Sequence, residues 1–250
     1  MRITVSPPDI ILEENYGKPL HNLPLDFNYE KPAESRYFFN PAFGGLFKFN
    51  ELKGTPGCEF SGCLEVFYCH VNEMALNAIA AIAEDYDDPY EGANKALEAC
   101  IDVDREELIG RYAFKDFVFQ DDDGQRKVGK QIKGAFIHED FKQFKIATLL
   151  YKYLTKKYHY LISDNNQTYQ GHILWVLSVL KWGKVKSYDC VEERFISAYD
   201  PNDNPPDFKP WSVPYNFPMD LEHHLRADLC VRTNTPLTNV VLIANSSLLE

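Results

Sequence analysis

The chain has 250 residues and a net charge of −11, and 45% of its residues are hydrophobic. This length and composition fit a globular protein with one large domain or two small ones. The negative charge argues against a binder of duplex nucleic acid, which needs a basic face. No apolar run reaches the roughly 18 residues that span a bilayer, and residues 1–8 lack the apolar core of a signal peptide. We therefore expect a cytoplasmic protein that does not associate with membranes.

The first 60 residues are rich in proline, asparagine and aromatic side chains and show little helical periodicity. This pattern predicts short strands joined by loops, at Arg2–Val5, Arg36–Asn40 and Gly45–Phe49. We treat residues 1–60 as an N-terminal β/loop extension, and residues 61–250 as one α/β domain.

The next segment predicts a strand followed by two helices. Cys63–Cys69 has the composition of a strand, and Asn72 is placed to cap a helix over Glu73–Ala83. That helix is apolar on most faces, so we expect it to be buried. A second helix is predicted over Tyr90–Ile101, and a short turn over Asp104–Ile109.

A hairpin and an alternation of helices and strands come next. Asp121-Asp122-Asp123-Gly124 is strong turn chemistry between two strand-like segments. The following apolar spacing predicts a helix, then a short buried strand, then a second helix that Gly183 ends. The predicted elements are strands Arg111–Gln120 and Lys127–Ile137, helix Lys145–Lys157, strand Tyr158–Ser163, helix Thr168–Trp182 and strand Lys184–Val191.

The last part of the chain contains a proline-rich stretch and one more strand. Six prolines fall within Asp200–Pro218, and we expect this insertion to be an irregular loop. Asn239–Ala244 predicts the final strand. The six cysteines predict reduced thiols, because gaps of four and five residues between Cys58, Cys63 and Cys69 do not match the usual two-residue zinc knuckles. We predict no metal.

Positive charge is concentrated in one part of this acidic chain. Residues 126–157 contain nine basic residues and two acids, a charge of +7, which leaves −18 for the remainder. The window predicts either a site for a local anionic ligand or a solvated, lysine-rich helix face. The predicted helix start at Lys145 adds unpaired backbone N–H groups and the positive end of a dipole, with Lys142 beside it. Together these features favour a pyrophosphate.

The order of elements and several residues resemble the GCN5-related N-acetyltransferases. In that family a strand leads into a loop of the type Gln/Arg-x-x-Gly-x-Gly/Ala, whose amides hold the pyrophosphate of coenzyme A. Here Lys142 falls at the Gln/Arg position, Lys145 at the first glycine and Ala147 at the Gly/Ala position. A side chain at Lys145 would either crowd the pyrophosphate or bring an ammonium group to it.

The resemblance implies a mostly antiparallel mixed sheet flanked by helices, with a cleft where two strands splay apart. It implies acetyl-CoA, or another acyl-CoA, as the cofactor. The residues implied to hold it are Phe136, Ile137 and His138 on the strand, Lys142, Gln143, Phe144, Lys145, Ile146, Ala147 and Thr148 in the loop, and Asn166 after the next strand.

The family's second motif, an Asn followed by Ala-x-x-x-Tyr, corresponds here to Asn165 or Asn166 and to Gly171–Trp175. Trp175 stands where the family's tyrosine protonates the leaving thiolate, and an indole cannot do so. Asp164, at a predicted strand end, is a candidate base or the cap of the next helix. Tyr169 is a candidate acid in place of the missing tyrosine, or an exposed residue of the first turn.

These expectations favour an acyl-CoA-dependent N-acetyltransferase with a small-molecule or protein amine as acceptor. The acidic remainder of the chain favours a cationic acceptor. The segment Ser163–Thr168 also resembles divergent acetyltransferase-like proteins of tailed phages. The alternative is an inactive scaffold of that fold, phage-encoded, that binds a protein partner as an inhibitor or structural component.

Overall fold

The computed structural model describes residues 9–11, 20, 27–29, 31–98, 102–200, 209–215, 217, 227–233 and 239–246. Its strands are β1 Asp9–Ile11, β2 Glu34–Asn40, β3 Gly45–Lys53, β4 Gly62–His70, β5 Arg105–Gln120, β6 Arg126–Ile137, β7 Tyr160–Ile162, β8 Asn166–Thr168, β9 Lys184–Asp189, β10 Arg194–Ala198, β11 Trp211–Pro214, β12 Cys230–Thr233 and β13 Val240–Asn245. Its helices are α1 Glu73–Ala83, α2 Pro89–Glu98, α3 Ile146–Tyr158, α4 Tyr169–Leu174 and α5 Leu180–Trp182. Short 3-10 helices cover Glu139–Phe144 and Ala227–Leu229, and a π-helical segment, Trp175–Val179, joins α4 to α5.

The described strands and helices form a mixed α+β architecture with two sheets. The larger sheet has nine strands in the order β10-β9-β13-β7-β6-β5-β4-β3-β2 and is mostly antiparallel. Within it, β6 and β7 pair in parallel. The smaller sheet, β12-β11-β1-β8, pairs in parallel throughout. The prediction of a mixed, mostly antiparallel sheet is thus confirmed.

The chain divides into two compact units. Unit I comprises Pro19–Lys115 and Lys133–Ile146, and unit II comprises Met1–Lys18, Asp116–Ile132 and Ala147–Glu250. The boundary between the units falls within β5, after Lys115, and within β6, after Ile132. The proposed extension over residues 1–60 remains a prediction.

Within the described part of unit I, two hydrophobic clusters pack on the strands. One groups Leu52, Phe60, Cys63 and Ala113 with neighbouring residues of the same unit. The other lies under α1 and α2 and contains Leu46, Cys69, Ile79, Ala93 and Ala96. In this cluster, apolar side chains from one face of the strands pack against apolar side chains from one face of each helix. Strand side chains alternate between faces every two residues and helix side chains repeat about every 3.6 residues, so each element presents one apolar face.

Unit II is organised by the insertion of β13 between β7 and β9. Its strand residues Val240–Ala244 are all buried, and Val241 and Ile243 pack with Phe119, Ile162 and Tyr188. Helix α3 buries Ile146, Leu150 and Leu154, which are spaced by four residues and so lie on one face.

Several predictions about single elements need correction. Residues 104–109 belong largely to β5 and not to a turn. Only Ile79 of α1 is fully buried, so the expectation of a buried helix is wrong. Trp211–Pro214, inside the expected proline loop, is a strand that pairs with β1 and β12. The predicted strand Arg2–Val5 lies outside the described residues, as does part of the proline-rich stretch.

Other local predictions are confirmed. Asn72 caps α1 by accepting a hydrogen bond from the amide of Ala75 at 2.9 Å. The turn of the β5–β6 hairpin is held by Asp121, whose Oδ1 accepts from the amides of Asp123 and Gln125. Among the described residues, no helix combines the length and apolar character that crossing a bilayer requires.

Candidate functional site

The candidate site begins where β6 and β7 stop pairing. Their parallel register consists of two pairs, Lys130 with Leu161 and Gln131 with Ile162. Strand β7 ends at Ile162, whereas β6 continues to Ile137. The edge of β6 that faced β7 therefore loses this strand as a hydrogen-bonding partner after Gln131. Ligands of open sheets commonly bind at the carboxyl ends of parallel strands.

A glycine allows the close approach of the two strands just before they separate. A Cβ placed on Gly129 would meet the Ile162 side chain, the Tyr160 Cβ at 2.6 Å and the Tyr160 carbonyl oxygen at 2.9 Å. These distances leave no room for a side chain. Gly129 thus fixes where β6 and β7 touch.

The Gln131 side chain continues the pairing beyond the end of β7. Its Nε2 donates to the carbonyl oxygen of Ser163 at 3.0 Å and lies 3.5 Å from Oδ1 of Asn165. Gln131 is buried, with 7% of its surface exposed. A side chain therefore takes the place of a backbone donor at the point where the ladder stops.

Ser163 ties the end of β7 to the strand on its other side. Its amide donates to the carbonyl of Leu242, and its Oγ accepts from the amide of Leu242, both at 2.9 Å. Asp164 follows, and its Oδ1 accepts from the amide of Asn165 at 2.9 Å. The helix that follows is capped by Thr168 and not by Asp164, so the capping alternative for Asp164 is wrong.

Two tyrosines of unit II are candidate acids. Tyr169, the first residue of α4, is half-buried, and burial raises its pKa. Tyr151 of α3 is buried, and its pKa is raised first by burial and then by the nearby charge of Asp164. Both phenols therefore keep their protons at neutral pH. Tyr169 was predicted from the sequence. Tyr151 was not, because it has the spacing of an ordinary core residue of α3.

The loop predicted to bind pyrophosphate forms a 3-10 helix that leads into α3. His138 precedes the 3-10 helix, and the helix contains Lys142, Gln143 and Phe144. Lys145 follows with φ of 57° and ψ of 20°, a left-handed conformation that favours glycine. A right-handed turn followed by a left-handed residue points successive N–H groups to one side, which makes an anion-binding concavity.

Side chains of this loop separate into anchors and exposed groups. The Phe144 ring packs edge-on against Phe43 at 4.6 Å, and its carbonyl accepts from Nδ2 of Asn40 at 2.7 Å. Ile146 is 1% exposed, so its side chain belongs to the core and is not available to a ligand. Lys142 and Lys145 are exposed, and neither has a side-chain partner among the described residues. Ala147 and Thr148 lie in the first turn of α3.

The rest of the basic window is partly neutralised within the fold. Lys130 pairs with Asp116, and Lys127 lies 3.5 Å from Asp121. Lys157 donates to the Tyr153 hydroxyl at 3.0 Å. Only part of the +7 charge is therefore free to attract an anion, and Lys142 and Lys145 belong to that part.

The remaining predicted residues lie in strands or in a buried helical segment. Phe136 and Ile137 end β6 and are half-buried. Asn166 lies in β8, in register with Asp9 of β1. Trp175 is 2% exposed and begins the π-helical segment, a feature that often occurs at functional sites.

No family model, curated protein or solved structure matches the chain. Among the described residues, no group of three or more His, Cys, Asp or Glu side chains is arranged to hold a metal ion.

Proposed function

We propose that the protein is an N-acetyltransferase that moves an acyl group from an acyl-CoA thioester to an amine. The observation that carries this proposal is the parallel pair β6–β7, which ends after two residue pairs inside a mostly antiparallel sheet. The strand order β9-β13-β7-β6 agrees with the family that the sequence resembles. The helices agree as well, since α3 connects β6 to β7 and α4 lies in the chain between β7 and β9. In that arrangement the edge of β6 after Gln131 aligns the pantetheine arm.

The conformation of Lys145 supports the same proposal. The motif alignment puts Lys145 where the family has its first glycine, and this lysine has the left-handed backbone that glycine adopts most readily. The N–H groups around it and the first turn of α3 suit a pyrophosphate. The exposed ammonium groups of Lys142 and Lys145 add charge without competing acidic partners among the described residues.

The chemistry needs a proton acceptor for the amine and a proton donor for the thiolate. Tyr169 is a candidate for the second role, because a phenol is protonated at neutral pH and can donate its proton to a thiolate. Asp164 is a candidate for the first role, although it is only 7% exposed. The acyl-CoA supplies the activated acyl group, and the protein's residues position it and move the protons.

Calorimetric titration with acetyl-CoA tests the proposal. We expect micromolar binding by the wild type and its loss in Lys145→Glu, because a carboxylate would repel the pyrophosphate. Lys156→Glu is the matched control, since Lys156 is an exposed lysine near the other end of α3, and it should retain binding. Failure of the wild type to bind at millimolar acetyl-CoA would contradict the proposal. If acetyl-CoA binds, thiol release with a panel of amines identifies the acceptor.

A second candidate is a non-catalytic scaffold that binds a protein partner. The buried Trp175 favours it, because this residue replaces the family's tyrosine and cannot donate a proton to a thiolate. The same titration separates the two functions, since the scaffold predicts no acetyl-CoA binding by the wild type.

A further inference from the structure

Unit I carries a histidine and a carboxylate in direct contact at the end of its strands. Nε2 of His70 lies 2.9 Å from Oε2 of Glu107, and Nη2 of Arg105 lies 3.2 Å from the same oxygen. The register puts Tyr68 opposite Glu107 and His70 opposite Arg105, so these four side chains share one face of β4 and β5.

Nε2 of His70 lies 2.9 Å from Oε2 of Glu107 and 3.0 Å from Nη2 of Arg105. A carboxylate only accepts and a guanidinium only donates, so these two contacts favour opposite tautomers of the imidazole. In the tautomer whose Nε2–H donates to Glu107, the lone pair lies on Nδ1. That nitrogen has no hydrogen-bond partner among the described residues, and the His70 side chain is 35% exposed. An imidazole oriented by a carboxylate, with its other nitrogen open, is the arrangement of a general base.

The surroundings of the pair are well defined. The Tyr68 ring packs edge-on against His70 at 4.7 Å and contacts Phe141 at 5.7 Å. The pKa of Glu107 is lowered, first by the hydrogen bond from His70 and then by the charges of Arg105 and His138. All of these groups belong to unit I.

The pair lies at the edge of unit I where β6 ends. Strand β4 is antiparallel to β5, and β6 returns from β5 through the turn at residues 121–125, so β4 and β6 run in the same direction. The amide of His138, directly after β6, donates to the carbonyl of Ile109 at 2.7 Å, two residues from Glu107. The proposed function assigns this end of β6 to the cofactor, so the pair is one strand away from that segment.

This edge is also acidic. Asp102, Asp104, Glu106 and Glu107 fall within six residues at the start of β5, and Glu139 and Asp140 follow β6. All six are exposed. The Asp104 amide donates to the carbonyl of His70, which places that residue beside the pair. Lys48 neutralises Glu106, Arg105 pairs with Glu107, and His138 lies 3.4 Å from Asp140. The remaining negative charge attracts cations.

We propose that this edge binds a cationic primary amine as the acyl acceptor and that His70, oriented by Glu107, is its general base. The inference rests on the proposed function. Nδ1 of His70 takes a proton from the ammonium group, and the neutral amine forms the N–C bond to the thioester carbonyl as the C–S bond breaks. The nitrogen loses its second proton as the amide forms, the leaving thiolate takes up one proton to become the thiol, and His70 returns its proton to solvent, so that each turnover releases one proton. Asp164 is less accessible to such an acceptor because it is buried.

Steady-state thiol release with acetyl-CoA and spermidine tests the assignment. His70→Ala should lower kcat/KM about 100-fold. Glu107→Gln should lower kcat/KM less, because it removes only the orienting acceptor. Glu98→Gln is the control, since Glu98 is an exposed carboxylate of the same unit paired with Lys95, and it should leave activity unchanged. Circular dichroism checks folding, and His70→Gln replaces the alanine variant if that variant does not fold.

Two measurements without acetyl-CoA keep the outcomes distinct. Calorimetry should show spermidine binding that weakens several-fold in Asp104→Asn and at high salt. Carboxyl NMR should show the pKa of Glu107 below its usual range in the wild type and closer to that range in His70→Ala. Acyl transfer to spermidine that survives His70→Ala, or that only Asp164→Asn abolishes, would overturn this inference and leave the proposed function standing. Absence of acetyl-CoA binding by the wild type would overturn the proposed function and this inference with it.

Discussion

Gln131 reaches across the end of the β6–β7 ladder and donates from Nε2 to the carbonyl of Ser163 at 3.0 Å. The bond is buried and lies one residue beyond the last backbone pair. This hydrogen bond fixes Ser163, the residue directly after β7, at the point where the chain leaves the ladder with β6. The candidate site thus depends on a side-chain amide for its shape.

Replacing Gln131 by leucine should therefore destabilise the fold. The Ser163 carbonyl would lose its donor in a buried setting, which costs about 1–3 kcal/mol in the free energy of unfolding. Urea denaturation followed by circular dichroism measures the change. Gln125→Leu, at an exposed position of the hairpin turn, should change stability by less than about 0.5 kcal/mol. Equal effects of the two substitutions would argue against a role for the Gln131 bond.

Gly129→Ala should be destabilising because the added methyl would collide with Tyr160 and Ile162. We expect a loss of about 1–3 kcal/mol from overpacking, and weaker acetyl-CoA binding if β6 and β7 move apart. Gly171→Ala is the control, since its nearest neighbour would lie at 3.4 Å in a helical turn. Thermal unfolding of both variants checks the contrast, and a neutral Gly129→Ala would show that β6 and β7 can separate freely.

Lys145→Gly separates the backbone of this residue from its charge. Glycine adopts φ of 57° without the steric cost that a side chain has, so we expect the fold to gain about 0.5–1 kcal/mol. Lys145→Val should lose about 1 kcal/mol or more, because β-branched residues fit this conformation poorly. Denaturation midpoints measure both changes. Acetyl-CoA affinity in the glycine variant then reports the contribution of the ammonium group alone.

Stability should fall in alkaline solution because of buried thiols. Burial raises the pKa of Cys63 to about 12 from an ordinary value of 9.0. The unfolded chain therefore loses this proton above about pH 9, whereas the folded chain keeps it up to about pH 12, so stability decreases across that window. At pH 10.5 the decrease is on the order of 2 kcal/mol from this residue. Cys63→Ala should show a smaller drop in urea stability between pH 8 and pH 10.5. A drop of the same size in both proteins would refute the assignment.

The sequence predicted the elements whose patterns are long and local. Helix α3 was recognisable because Ile146, Leu150 and Leu154 recur on one face, and the hairpin because of its acidic turn with Gly124. The smaller sheet was not recognisable. Its strands have three or four residues each and pair in parallel across large sequence distances, so neither alternation nor turn chemistry marks them.

The candidate site was predicted in part for similar reasons. The loop around Lys145 was identified through its charge and its motif spacing, but its left-handed conformation could not be, since lysine rarely adopts it. Gln131 and Gly129 escaped notice because a glutamine and a glycine within a strand carry no pattern of their own. The partnership of His70 and Glu107 joins residues 37 positions apart and became visible only through the strand register.

The position of β13 has a consequence for synthesis on the ribosome. Strands β7 and β9 are made first, but the strand that joins them is made about fifty residues after β9 ends. Until then both strands present unpaired edges, which are templates for pairing with other nascent chains. We therefore expect this half of the protein to complete its folding only after residues 240–245 have left the exit tunnel, and to depend on chaperones when its translation is slow.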